Sequence, residues 1–423
     1  MRAVNTAWRR VAVPSSSVRQ VGLGSGAAIG RSDMTGEHPL IGVPRGGRLL
    51  FIDNIRWVMI LLVVSMHAAD TYSPLGNWYF TDRVPLTKPV LLTFAAWQMY
   101  LQAFFMGLLF FIAGYFVPAS LRRKGIAKFI RERGFRLGLP VLFYMFVLGP
   151  VTEYFVAHSW NSTEPTSFAN EWVKHIRNGQ FLQENGPLWF CLALLIFSAC
   201  YATIRQARGG AKNDATADPP PSSSRLIGFA LIMAAATFVV RLVFPQGASV
   251  LNMQLADFPQ YVLLFIGGTF AARGGWLRKF DYASGVRWLA ITLPVGFAAW
   301  LAIVIGGGMV AGSGSAYSGG WHWQAAAIDS WESLTCIGIS FGLLAVFRRA
   351  FDSQGRAAKF MSDNAFSVYV FHPPLVILGA RLLQGVAWHP LSKFAVLTII
   401  ASAASFVLSA AVFRRIPGLR AIV

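Results

Sequence analysis

The sequence predicts an all-α polytopic membrane protein of about ten transmembrane helices, with both termini in the cytosol (N-in/C-in). Three observations predict it. Of the 423 residues, 55% are hydrophobic and only 13% are charged, more apolar sequence than the core of a water-soluble domain of this size takes up. Ten apolar segments each have roughly the length that carries a helix across ~30 Å of hydrocarbon. They lie near 49–70, 96–118, 137–157, 187–205, 226–244, 258–273, 288–309, 327–347, 364–381 and 393–413. The basic residues alternate: with the N-terminus in the cytosol, 29 of the 37 lysines and arginines fall on the cytosolic side, 7 fall outside, and Arg56 lies within the first segment. Short cytosolic loops carry such an excess. The net charge of +19 is therefore a topology signal and not a nucleic-acid footprint. The lipid bilayer is the expected partner, nucleic acid is not, and the expected place is the inner (plasma) membrane as a multi-pass protein.

In chain order, residues 1–45 hold Arg9-Arg10, serines at 15–17 and Gly-Leu-Gly-Ser-Gly at 22–26. They lack the apolar core of about 7–15 residues found in a secretory signal. They read as a disordered cytosolic tail, and 46–415 reads as the ten-helix domain. The sixth segment is the weakest, because Asp257, Pro259 and Gly267-Gly268 make it short and broken. Asp257 reads as its N-cap. The fourth segment opens with Asn185-Gly186-Pro187-Leu188-Trp189-Phe190, a proline-led helix start with a Trp suited to the headgroup belt. The ninth opens at Ser362, Asp363 or Asn364 as cap and carries His372 before Pro373-Pro374, a pair that frees backbone carbonyls and kinks a span. The stretch 206–224 is a flexible linker. Cys191, Cys200 and Cys336 all fall in apolar runs and read as small core residues, with no metal-ligand spacing.

Ionisable groups at membrane depth cost several kcal/mol and usually mark function. The first span carries four: Asp53, Arg56, His67 and Asp70. Arg56 and His67 are eleven residues apart, so at 3.6 residues per turn they leave one helix face about 16 Å apart along the axis. His67 can take and return a proton near neutral pH. Asp70, one turn on, is placed to orient it; the alternative is a His at a helix end among headgroups. Arg56 suits a phosphate or pyrophosphate, or an ion pair with Asp53. Arg133 and Arg136, at the mouth of the third span, collect phosphates or serve only the positive-inside rule. Glu332 and Asp329 are either a second acid or partners for Arg241 or Arg381. His372 is either functional or a hydrogen-bonded structural residue.

Together these motifs resemble the acyltransferase-3 family of membrane acyltransferases. The family pattern of a basic residue, ten residues and a His in the first span is matched by Arg56 to His67. Its Arg-x-x-Arg before the third span is matched by Arg133-Gly-Phe-Arg136, its Pro-Leu-Trp-Phe by Pro187 to Phe190 with Trp189, and its Tyr-x-x-His-x-Pro by Tyr369, His372 and Pro374. The resemblance covers about 45–415. It implies transfer of a short acyl group, acetyl or succinyl, from cytosolic acyl-CoA (acetyl-CoA or succinyl-CoA) to a hydroxyl of a glycan or glycosylated small-molecule acceptor, with no metal. Arg56, Arg133 and Arg136 would bind the donor, His67 would act as base and Asp70 would orient it. Trp189, Glu332, Tyr369 and His372 are further candidates for substrate or structural roles. A transporter or flippase with Arg56, His67 and Asp70 as its proton or substrate pathway is the competing expectation.

Overall fold

The computed structural model describes residues 48–76, 78–82, 84–158, 167–182, 185–209, 218–309 and 312–420. The expected tail 1–45 and the middle of the linker, 210–217, lie outside them. Among the described residues, ten helices are long and apolar enough to cross a membrane. In order they are α1 Leu50–Tyr72, α2 Lys88–Lys124, α3 Ile126–Phe155, α4 Gly186–Ala207, α5 Ser223–Arg241, α6 Leu255–Gly274, α7 Tyr282–Gly306, α8 Trp323–Ala350, α9 Arg356–Leu382 and α10 Pro390–Phe413. Their number and order match the ten apolar segments of the sequence.

The bundle has a graded interior. Helices α2, α8 and α9 are buried along most of their apolar length, whereas α5 and α7 turn most of theirs outward. Helix α1 packs against α9, α10 and α2; α2 runs along α6 and α8; α7 and α5 lean on α8 from outside. Outward leucines, isoleucines and valines are what a lipid-facing surface requires.

Several boundaries differ from expectation, each for a physical reason. Helix α2 starts at Lys88 because Pro89 is compatible with a first helical position. The third span is not a plain α-helix: π-type turns at Gly134–Gly138, Tyr144–Leu148 and Thr152–His158 interrupt it. Pro140 and Pro150 lack an N–H, so each leaves the carbonyl four residues earlier without its helical donor. For Pro150 that carbonyl is Phe146, and Trp172 of a short helix (Phe168–Arg177) donates its indole N–H to it at 2.9 Å.

The expected break in the sixth span is absent: the helix runs through Gly267-Gly268 without interruption. A Cβ on Gly268 would overlap the Phe111 carbonyl, and one on Gly114 would overlap that of Phe265. These glycines therefore bring the α2 and α6 backbones together, the small-residue packing used between membrane helices. Asp257 makes no cap hydrogen bond; its carboxylate serves Arg241 instead. Helix α9 starts at Arg356, so Ser362, Asp363 and Asn364 lie inside it rather than capping it. Asn364 accepts from Ser409 at 2.9 Å and from Arg414 at 3.3 Å, which ties α9 to α10. Cys191 and Cys336 are buried as expected, but Cys200 faces outward.

Candidate active site

Near the end of α1, His67 Nδ1 lies 3.0 Å from Asp70 Oδ2, one helical turn away. The other Asp70 oxygen accepts from Gln98 Nε2 of α2 at 2.7 Å. Asp70 is buried, while the His67 side chain keeps 20% of its surface. A carboxylate only accepts, so Nδ1 carries the hydrogen and the lone pair sits on Nε2. That is the tautomer of a general base, oriented by an acid that is itself oriented.

Two flat rings hold the imidazole. Trp78 stacks on it with centroids 3.9 Å apart and planes within 13°, and His372 stacks at 5.4 Å and 14°. His372 is fully buried. Its Nδ1 lies 3.0 Å from the Tyr369 carbonyl, the one that Pro373 leaves without a helical donor, and 3.2 Å from that of Val368. Nδ1 therefore donates there, and Nε2 is left as a buried acceptor without a partner among the described residues. The proline pair that reads as a kink thus fixes the ring of His372 against His67.

Tyr369 donates its hydroxyl hydrogen to the Pro187 carbonyl, joining α9 to the start of α4. The same turn is clamped from a small hairpin, Ser249–Val250 with Met253–Gln254. Asn185 donates to the Leu251 carbonyl at 2.6 Å, and Asn252 donates to that of Gly186 at 2.9 Å. Leu251 and Asn252 have φ of 51° and 58°, the left-handed pair of a two-residue hairpin turn. Gly186 also has positive φ, and a Cβ there would strike the Tyr144 ring. Trp189 packs inside, stacked on Tyr261 at 5.5 Å and tilted over Phe110 at 6.5 Å.

Glu332 belongs to a buried ion network around Arg241. The guanidinium pairs with Asp257 at 2.7 Å, with Glu332 at 2.9 Å and with Asp329. Of the two arginines open to these acids in the sequence, Arg241 is the one that takes them. Gln102, one turn beyond Gln98 on α2, donates to Asp257 at 2.9 Å. One face of α2 therefore supports both the His67–Asp70 pair and the Arg241 network.

At the other end of α1, Arg56 pairs with Asp53 at 3.2 Å and lies over the Phe116 ring at 5.4 Å. Asp53 also takes Arg48 at 2.5 Å. Arg56 is exposed, with 44% of its side-chain surface free, and lies within electrostatic range of Arg136. Arg133 feels both Arg136 and Arg56 and donates to Ser198 at 3.4 Å. Among the described residues, neither Arg133 nor Arg136 has a carboxylate partner. Arg56, Arg133 and Arg136 thus lie within electrostatic range of one another, and His67 and Asp70 meet as their spacing of three residues on one helix places them. The sequence reading misses Gln98 and Trp78. Two glutamines one turn apart in an apolar run were a usable signal for the first; nothing local marks the second.

A family model described as an acyltransferase domain matches residues 49–414. Similar proteins include the "Glucans biosynthesis protein C" of Salmonella paratyphi B, Salmonella dublin and Salmonella enteritidis PT4, each 24% identical over 348 residues, covering 79% of this chain and 84% of the relative. No solved structure gives a significant match. With the match spanning all ten helices and both ends of α1, the chain belongs to the acyltransferase-3 family and is a membrane acyltransferase.

Proposed function

We propose that this acyltransferase moves an acetyl or succinyl group from cytosolic acyl-CoA to a hydroxyl of a glycan, with the chain set N-in/C-in in the inner (plasma) membrane. The observation that carries the reading is the division of α1 into two chemical ends. Arg56, joined by Arg133 and Arg136, forms a cationic cluster at one end, and a carboxylate-oriented imidazole sits about 16 Å away at the other.

The donor fits this arrangement. Three guanidiniums with Asp53 as the paired carboxylate leave excess positive charge and free donors for the phosphates of CoA. The long pantetheine arm then leads the thioester along the bundle to His67. There, Nε2 takes the proton of the acceptor hydroxyl as its oxygen bonds to the thioester carbonyl carbon. The tetrahedral adduct collapses, the C–S bond breaks, and the imidazolium returns the proton to the CoA thiolate. Asp70 stabilises the imidazolium while it exists. Among glycans, the name of the relatives favours a glucan as acceptor.

The experiment compares acyl-CoA turnover by His67→Gln and Arg56→Ala with that of wild type, all inserted at equal levels. His67→Gln is expected to lose about 10²–10⁴-fold in rate. Arg56→Ala is expected to raise the KM for acyl-CoA about 10–100-fold, as the loss of a charge-assisted contact worth ~1.5–3 kcal/mol implies. A fully active His67→Gln removes the base, and unchanged acyl-CoA affinity in Arg56→Ala removes the donor site. Mass spectrometry of envelope glycans with and without the gene then names the acceptor and the acyl increment.

A further inference from the structure

We propose that Trp78 decides between a sugar hydroxyl and water at His67, by sealing the imidazole so that the thioester is transferred and not hydrolysed. This rests on the reading of His67 as base. A base beside a thioester activates whichever hydroxyl reaches it. Water would attack the carbonyl carbon, lose its proton to His67 and expel the CoA thiolate, which takes that proton; the products are free acid and CoA. A transferase has to exclude this route.

His67 stands where it should be wet. Helix α1 ends at Tyr72, five residues on, and the chain then leaves the span. Yet only 20% of the side chain is open, because the following residues fold back over it. Gly76 lies so close to Asp70 that a Cβ would overlap its carboxylate. Trp78 lies flat on His67 at 3.9 Å. The Tyr79 hydroxyl is 3.3 Å from that of Tyr144, and the Arg381 guanidinium sits 4.1 Å from the centre of the Phe80 ring. The Asp82 amide donates to the Thr71 carbonyl at 2.8 Å, and its carboxylate takes the buried Lys393 ammonium at 2.8 Å. Residues 79–82, directly after Trp78, are thus fastened to α1, α3, α9 and α10.

Trp78 itself is held differently. Its indole Nε1 is buried and has no hydrogen-bond partner among the described residues. What it contributes at His67 is therefore its flat apolar face. That makes the proposal specific, because a phenyl ring should serve and a small side chain should not.

The test uses the full-length protein in lipid nanodiscs, with acetyl-CoA or succinyl-CoA and no acceptor, and follows release of the CoA thiol. Trp78→Ala is expected to raise acceptor-free release at least about tenfold, a modest part of what general base catalysis can supply. Trp78→Phe should stay near wild type, and adding His67→Gln to Trp78→Ala should abolish the gain. Should Trp78→Ala not accumulate in the membrane, Trp78→Leu, which is apolar but not flat, is read in the same way. Acceptor-free release no higher than wild type in the folded variant overturns the seal. Undiminished transfer by His67→Gln alone overturns the base instead, so the two failures are distinct.

Discussion

Gln98, a neutral side chain in the middle of an apolar run, decides how Asp70 meets His67. Its amide occupies one carboxylate oxygen, so the other is left for the imidazole. An unpaired buried carboxylate would be costly, and the glutamine removes that cost without neutralising the charge. In the proposed mechanism that charge stabilises the imidazolium of His67. Asp70→Asn keeps the size and a hydrogen-bonding oxygen but loses that charge. It should lower kcat by about 10²–10⁴-fold with the KM for acyl-CoA unchanged, as steady-state CoA release would show. A parallel rise in KM would assign Asp70 to donor binding. Arg241 shows the same physics in a structural setting: three carboxylates from two other helices, α6 and α8, share one guanidinium where water cannot screen them.

At the scale of elements, glycine and proline place the helices. Gly114 and Gly268 let α2 and α6 touch backbone to backbone, and α2 carries both Gln98 and Gln102. Gly268→Val would push a branched side chain into the Phe111 carbonyl and force the pair apart. Overpacking of this kind costs ~1–3 kcal/mol, so the variant should melt at a lower temperature in detergent and lose activity in proportion. An unchanged melting temperature would mean that α2 and α6 are not held by this contact. The prolines act in the opposite sense, by freeing carbonyls that distant side chains then claim. Pro150 releases Phe146 to Trp172, and Pro373 releases Tyr369 to His372.

For the whole molecule, the charge distribution along the chain predicts which way the bundle faces. With 29 basic residues assigned to one side and 7 to the other, the positive-inside rule predicts both termini in the cytosol and Arg56 toward that side, where the proposed acyl-CoA donor would be. Reporter fusions check this: a C-terminal green fluorescent protein should fluoresce, and a C-terminal alkaline phosphatase should be inactive. An active phosphatase would reverse the bundle and turn the arginine cluster away from the proposed cytosolic donor.

Ten spans, the shared face of Arg56 and His67, and the His67–Asp70 pair are legible in the residues. Each depends on local hydropathy or on helical spacing within one segment, which a single stretch of chain contains in full. The sequence misleads where a residue has two meanings and a distant partner chooses. Gly267-Gly268 read as a break because glycine either ends a helix or admits a neighbour, and only the Phe111 backbone says which. Asp257 stands at the cap position as read, but its carboxylate turns to Arg241 of another helix instead of to the helix N–H groups. Hydropathy and periodicity therefore determined the class, the spans and the two charged ends of α1. The tertiary structure alone decided that Trp78 and His372 enclose His67, because stacking, close packing and buried charge pairing are properties of two residues together and not of the local pattern around either one.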